Sequence, residues 1–196
     1  MTESLKTLYI VLPCSRKEIT SFIEENHYSH NINGCNADYC FKLVDKNETI
    51  CGAMFYGKLA MANQWKRFAD NSEDVTELRR LVCIDDTPKN TESYFIGHTL
   101  RWLKKNTKLK VVVSYSDLEY GHTGVIYKAS NFKCLGAKVG AKVIIFNGKR
   151  YHDKAVRTKY KGELKPFAIR IKDALVSGEA YYQETRGKVT FVYSLR

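Results

Sequence analysis

The sequence predicts an α/β sandwich, with helices covering a central mixed, largely antiparallel sheet and a basic β/α extension at the C-terminal end. Three observations carry this. Segments of strand and helix periodicity alternate along the chain. Residues 109–113 form an almost uninterrupted β-branched run, which suits a strand covered on both faces. Residues 39–44 and 50–56, rich in aromatic and β-branched side chains, flank the polar turn 45–48 as a hairpin would.

The elements follow in order. Residues 8–12 form a first strand. Ser15-Arg16-Lys17-Glu18 is a capping box, in which a serine and a glutamate satisfy the free amides of a helix start. That helix presents Ile19, Phe22 and Ile23 on one face and ends near 26–28. An irregular loop over 31–36 leads into the hairpin. Residues 59–68 match neither period and set Lys58, Lys66 and Arg67 around Met61, Trp65 and Phe68; 70–74 is a polar loop. A strand over 78–84 stops at Asp85-Asp86-Thr87-Pro88, since proline supplies no amide and restricts its predecessor. A helix over 91–105 turns Ile96, Leu100 and Leu103 inward. After the 109–113 strand comes a short helix, 123–130, with Asn131 as a left-handed stop. Asn147-Gly148 joins a strand over 142–146 to the next as a hairpin turn. Pro166 opens a helix over 167–176 that Gly178 ends, and 189–193 is a final strand. The expected division is a catalytic core over 1–146 and a basic extension over 147–196 packed on the same domain.

A chain of 196 residues suits one substantial domain, and its 44% apolar content is ordinary for a soluble protein. It contains no run of about 18 apolar residues, so no membrane association is expected. Six cysteines do not imply a disulfide framework in a chain with a sizeable core. Cys83 and Cys134, in apolar runs, are expected as small buried hydrophobes, and the compartment as reducing host cytoplasm. Lysine and arginine total 32 against 21 acids, a net charge of +11. Acids cluster over 70–86 and bases over the last third, which favours a polyanionic partner.

The densest group of reactive side chains is Arg80, Ser114, Asp117, His122 and Tyr127, near the ends of predicted elements, where a scaffold holds polar groups beside an open cleft. That argues for an enzyme. No Gly-x-Ser-x-Gly elbow surrounds Ser114, so a serine-nucleophile triad with His122 and Asp117 is not expected. His27, His30, Cys35 and Cys40 match no zinc spacing, and no metal is expected. His152-Asp153 is either an imidazole–carboxylate pair or a surface turn.

The order of elements resembles the GNAT acyltransferase fold. RLVCIDDTPKN, YFIGHTL and VVVSYSDLEYGHTGVIYKASNF resemble the Mom family of bacteriophage DNA-modification proteins, and FIEENHYSHN, GAMFYGKLAM and YHDKAVRTKY fit the same family. The resemblance covers residues 15–160 and is strongest over 114–131. It implies a GNAT-like transferase that places a carbamoylmethyl group on the exocyclic N6 amine of adenine in duplex phage DNA, protecting it from host restriction. It also implies catalytic roles for Arg80, Asp117 and Tyr127 with Ser114 in support; Arg79 competes with Arg80 for the family arginine. On this resemblance the Tyr127 phenol protonates a leaving group, unless its ring merely packs with the hydroxyl at the surface. Asp117 accepts from the adenine amine, or else caps a turn. Arg80 clamps a phosphate or carboxylate, or pairs with Glu77, Asp85 or Asp117.

The donor is unidentified, a small glycyl or acyl donor, free or carrier-bound, with Arg79, Asn90, Ser93 and His122 as its candidate contacts. Residues 86–93 lack the glycines by which GNAT enzymes bind coenzyme A pyrophosphate, and Glu92 competes with a phosphate, so standard acetyl-CoA binding is not expected. His27-Tyr28 is a further candidate for the cleft. Lys58, Lys66, Arg67, Lys149, Arg150, Arg157, Lys159 and Lys161 are expected on DNA phosphates, and Tyr56, Trp65, Tyr151 and Tyr160 are available to stack on an extruded base. Asp117 and Tyr127 are expected to line one opening. The competing readings are an acyl-CoA-dependent N-acyltransferase of a small amine or protein, and a non-catalytic DNA-binding protein.

Overall fold

The computed structural model describes residues 4–30, 32 and 34–196. Through the first half run α1 (Leu5–Leu8), β1 (Ile10–Cys14), α2 (Arg16–Asn26), β2 (Tyr39–Val44), β3 (Ile50–Gly57), β4 (Val75–Cys83) and α3 (Thr91–Asn106). Then come β5 (Val111–Asp117), α4 (Val125–Ala129), β6 (Lys133–Lys138), β7 (Lys142–Phe146), β8 (Lys149–His152) and α5 (Asp153–Arg157). The chain closes with β9 (Lys159–Tyr160), β10 (Glu163–Leu164), α6 (Pro166–Ser177), β11 (Tyr181–Glu184) and β12 (Lys188–Ser194). They fall into two compact units: residues up to Ser116 with Thr123–Gly136 and Val189–Arg196, and Asp117–His122 with Ala137–Lys188.

The sheet of the first unit has the order β1-β2-β3-β4-β5-β12-β6. Strands β1 to β4 pair antiparallel, and β4 pairs with β5 in parallel. A parallel pair needs a crossover, which α3 supplies. The mixed, largely antiparallel sheet is therefore as expected. The first strand starts two residues late, because the Tyr9 amide closes a helical turn onto the Leu5 carbonyl at 3.0 Å. In α2 the Glu18 carboxylate accepts from the Ser15 amide at 2.7 Å and hydroxyl at 2.9 Å, completing the capping box. Ile19 and Ile23 are fully buried and Phe22 packs at the edge of the same cluster. The hairpin turn is tied by Asp45, whose Oδ1 accepts from the amides of Asn47 (2.9 Å) and Thr49 (2.8 Å). Of the loop expected over 31–36, Asn31 and Asn33 lie outside the described residues. Asn131 stops α4 at φ 62°.

Two strands of this sheet depart from expectation. β12 inserts between β5 and β6. β6 itself carries no burial alternation, every residue being exposed, so neither period marked it. Cys134 on it is exposed and Cys83 only half-buried, correcting the expectation that both are buried; all six cysteines are free. The core between sheet and helices joins Phe41, Tyr56, Leu78, Phe95, Val112 and Phe191. Each such side chain contributes about 1.5–3 kcal/mol on burial.

The second unit has a three-stranded antiparallel sheet, β11-β7-β8, and a small β9–β10 ladder. The β7–β8 turn is the Asn147-Gly148 pair at φ 48° and 69°, as expected. α6 begins at Pro166 and ends at Gly178 in the left-handed region. Ile144, Val156, Ala168, Ile171, Ala174 and Ala180 form this unit's own core. Among the described residues, no helix is long and apolar enough to cross a membrane.

Candidate active site and nucleic-acid interface

In the first unit the sheet parts where β4 and β5 meet. Their parallel register runs from Val75↔Val111 to Leu78↔Ser114, after which β4 continues to Cys83 without β5. A bulge causes the change. Phe55 faces Arg80 and Tyr56 faces Leu78, which makes Arg79 the extra residue. Crevices at the carboxyl ends of parallel strands are where α/β sheets take ligands.

The bulge also settles which arginine meets Glu77. Arg79 pairs with its carboxylate at 3.3 Å, donates to the Lys58 carbonyl at 2.9 Å and reaches the Cys35 sulfur at 3.5 Å. Its Nε is buried without a partner among the described residues. Arg80 donates through Nη1 to the Arg79 carbonyl at 2.7 Å. Both Arg80 and Ser114 lie inside strands, not at element ends as expected, since β4 starts three residues early and β5 runs past 113.

Tyr127, on α4, is 8% exposed, so its hydroxyl is not at the surface. Its ring centroid lies 5.1 Å from that of Phe191 and 5.6 Å from that of Phe132. Gly124 begins α4 at φ 76°, and an added Cβ there collides with the Phe191 ring, so only glycine lets the helix approach this closely. The fully buried Ser114 hydroxyl donates to the Leu78 carbonyl at 3.3 Å. Ser114 also bears on the Tyr127 phenol. Burial pushes the Tyr127 phenol above its usual pKa, with Tyr28 and Glu77 adding to the rise and Ser114 opposing it. The phenol therefore holds its proton at neutral pH.

Several neighbours escaped the sequence reading. Glu77 was weighed only as an ion-pair partner of Arg80, yet it pairs with Arg79 and acts on Tyr127 and Tyr115. The Tyr115 phenol is pushed up to about 12, by burial first and then by Glu77, while Gln64 donates to its hydroxyl. The His27 ring lies 4.2 Å from that of Tyr28, and its Nδ1 accepts from the Ser29 amide at 3.1 Å, which leaves any ring proton of the neutral form on Nε2. Tyr28 bears electrostatically on Tyr127.

The start of α3 does not suit a coenzyme A pyrophosphate. Asn90 caps the helix at φ 73°, the Thr91 amide is taken by the Pro88 carbonyl at 3.2 Å, and the Ser93 hydroxyl turns back to the Asn90 carbonyl at 3.0 Å. Glu92 stands in the first turn, with Asp85 and Asp86 just before it in the chain. Negative charge at a helix N-terminus takes the place of a bound phosphate. Among the described residues, no three metal-capable side chains gather at one point.

In the second unit Asp117 is the last residue of β5, not beyond a strand that ends at 113, because the strand continues through Ser114-Tyr115-Ser116. Its carboxylate accepts from the Glu119 amide at 3.1 Å and pairs with Lys188 at 3.1 Å, while its carbonyl accepts from the His122 amide at 3.3 Å. Asp117 thus caps a turn and still holds a cation. Lys149, Arg150 and Lys159 are exposed, Arg157 pairs with Asp153 at 2.5 Å, and Lys161 lies 5.7 Å over the exposed Tyr160 ring. His152 is exposed and Asp153 turns to Arg157. In the first unit Lys58 is exposed, Lys66 lies over Trp65 (5.6 Å) and Arg67 over Phe68 (5.2 Å). Tyr56 is a correction: it is wholly buried, its hydroxyl 2.6 Å from Thr99, and no base can stack on it. Its strand position faces the core, which the aromatic–basic interleaving did not reveal.

The fold is shared with solved GNAT N-acetyltransferases. Spermidine/spermine N-acetyltransferase SpeG of Vibrio cholerae superposes with a TM-score of 0.54 at 10% identity, over 98% of this chain and 95% of that one. NAA60 of Arabidopsis thaliana, solved with acetyl-CoA, gives 0.56 at 10% identity, over 95% and 98%. These likenesses establish the fold. The model of the Mom protein family matches residues 8–195, and the chain belongs to that family. Methylcarbamoylase mom of Escherichia phage Mu is 27% identical over 136 residues, 68% of this chain and 55% of the relative. The chain therefore spans about half the length of the curated relative it matches.

Proposed function

We propose that this protein is a transferase that places a carbamoylmethyl group on N6 of adenine in duplex phage DNA and so shields that DNA from host restriction. The family match over residues 8–195 carries the proposal. The protonated, buried phenol of Tyr127 beside the parting strands supports a group-transfer site.

The amine of adenine is a poor nucleophile, because its lone pair is shared with the ring. The carboxylate of Asp117 accepts an amine proton as the nitrogen attacks. The new N–C bond forms while the bond between the donor carbon and its leaving group breaks. Tyr127 gives its proton to that leaving group, with Ser114 in support. Arg80 holds an anionic group of donor or DNA. The target base leaves the stack to be reached, and the exposed bases Lys58, Lys149, Arg150 and Lys159 hold the flanking phosphates.

The test is mass spectrometry of nucleosides from DNA of cells expressing the protein. Carbamoylmethyl-deoxyadenosine is expected, falling about 10²- to 10⁴-fold in Tyr127→Phe. Unaltered nucleosides together with acylation of a free amine point instead to an N-acyltransferase, the reading that the fold alone favours. DNA binding with no adduct under any donor supply leaves a non-catalytic binder.

A further inference from the structure

Within the second unit, a pocket of about 210 Å³ opens where the β7–β8 turn meets α6. Asn147 and Lys149 come from the turn. Phe167 and Arg170 come from α6, three residues apart and so on one face of the helix. Ile171 closes the floor at 1% exposure, and Phe146 and Tyr151 stand half-buried against the small core behind it. Phe167 is different: its ring is 40% exposed.

Some cations of this unit already have partners. Arg157 is spent on Asp153, and Lys161 and Lys165 lie over Tyr160. Lys149 and Arg170, at the pocket, have no ion pair or ring partner among the described residues. Two unpaired cations beside an open aromatic face form a composite site for a ligand that carries both an anion and a flat ring. The size narrows it further. Sites for drug-sized ligands run to roughly 300–1,000 Å³, and this pocket is smaller, so a longer ligand enters it only in part. Asn147, held at φ 48° by the turn, adds at the rim an amide able to donate and to accept, as the edge of a base requires.

We infer that this pocket takes one nucleotide of a DNA strand, its phosphate on Lys149 and Arg170 and its base against the face of Phe167. It lies outside the residues assigned to group transfer and anchors the DNA through the second unit alone. An acidic peptide engages the two cations but makes no use of the aromatic face. The inference rests on the protein acting on DNA.

The test is fluorescence anisotropy with a labelled oligonucleotide duplex over a salt series, alongside nucleoside analysis for the wild type. Phe167→Ala is expected to weaken binding about tenfold, the scale of one lost base stack. The double variant Lys149→Ala/Arg170→Ala is expected to weaken it and to lower the slope of log K against log salt by about 1, one phosphate contact. Both positions are exposed, so circular dichroism stays that of the wild type; Lys149→Arg/Arg170→Lys restores the slope. If the wild type modifies DNA while both variants bind the duplex with unchanged affinity and slope, the pocket assignment is overturned and the proposed function stands. Loss of binding to an acidic peptide with DNA binding intact also overturns it. A wild type that neither binds nor modifies DNA sinks both.

Discussion

Tyr127 and Ser114 are both buried: the serine hydroxyl donates to the Leu78 carbonyl at 3.3 Å, and burial raises the phenol above its usual pKa. Ser114→Ala removes the hydroxyl donor to the Leu78 carbonyl and is expected to cost about 1 kcal/mol in denaturant unfolding. The thiols offer a second check at this scale. Burial pushes Cys14 and Cys83 up to about 12 and Cys40 to about 11, whereas Cys134 is exposed. A thiol reagent at neutral pH should label one site quickly, and Cys134→Ser should abolish that fast phase. The sequence pointed to Ser114 and Tyr127 through their motif. It offered Glu77 as a partner for Arg80 and not for Arg79, because the bulge at Arg79 is a feature of the paired strands.

At the scale of elements, local rules explain the helix ends and fail at the strand ends. The capping box of α2 was legible because its partners are three residues apart, but its second role was not: Glu18 also meets Lys42 at 2.7 Å across the fold. Lys42 and then the Ser15 amide and hydroxyl hold the Glu18 carboxyl down to about 2. A depressed carboxylate stabilises above its ordinary 4.5 and loses that contribution as pH falls toward 2. Glu18→Gln is expected to flatten the acid limb of a melting-temperature profile across that window. Gly124 is the sharper case. Gly124→Ala both strains a positive φ and drives a methyl into Phe191, and about 3 kcal/mol of destabilisation is expected by chemical denaturation. A glycine in the sequence announces freedom of the backbone; that an aromatic ring fills the space left by its missing Cβ is a tertiary fact.

For the molecule as a whole, pH stability is limited on the alkaline side by buried phenols. Burial raises Tyr56, Tyr115 and Tyr127 above the ordinary tyrosine value of 10.0. Each binds its proton more tightly folded than unfolded, so its contribution is whole below about pH 10 and is lost as pH rises beyond. The melting temperature should hold steady below that point and fall above it, less steeply in Tyr56→Phe. The net charge of +11 sets the matching expectation for partners: DNA affinity that drops with added salt.

The α/β order, the helix boundaries of α3 and α6 and the Asn147-Gly148 turn were all determined by the sequence itself, since each depends on residues a few positions apart. The insertion of β12 beside β5, the exposed β6, the wholly buried Tyr56 and the pairing of Arg79 with Glu77 were decided only by the tertiary structure. The physical reason is range. Capping, periodicity and turn geometry act within one turn of chain, whereas strand neighbours, burial and ion pairing depend on which distant segments the packed core brings together.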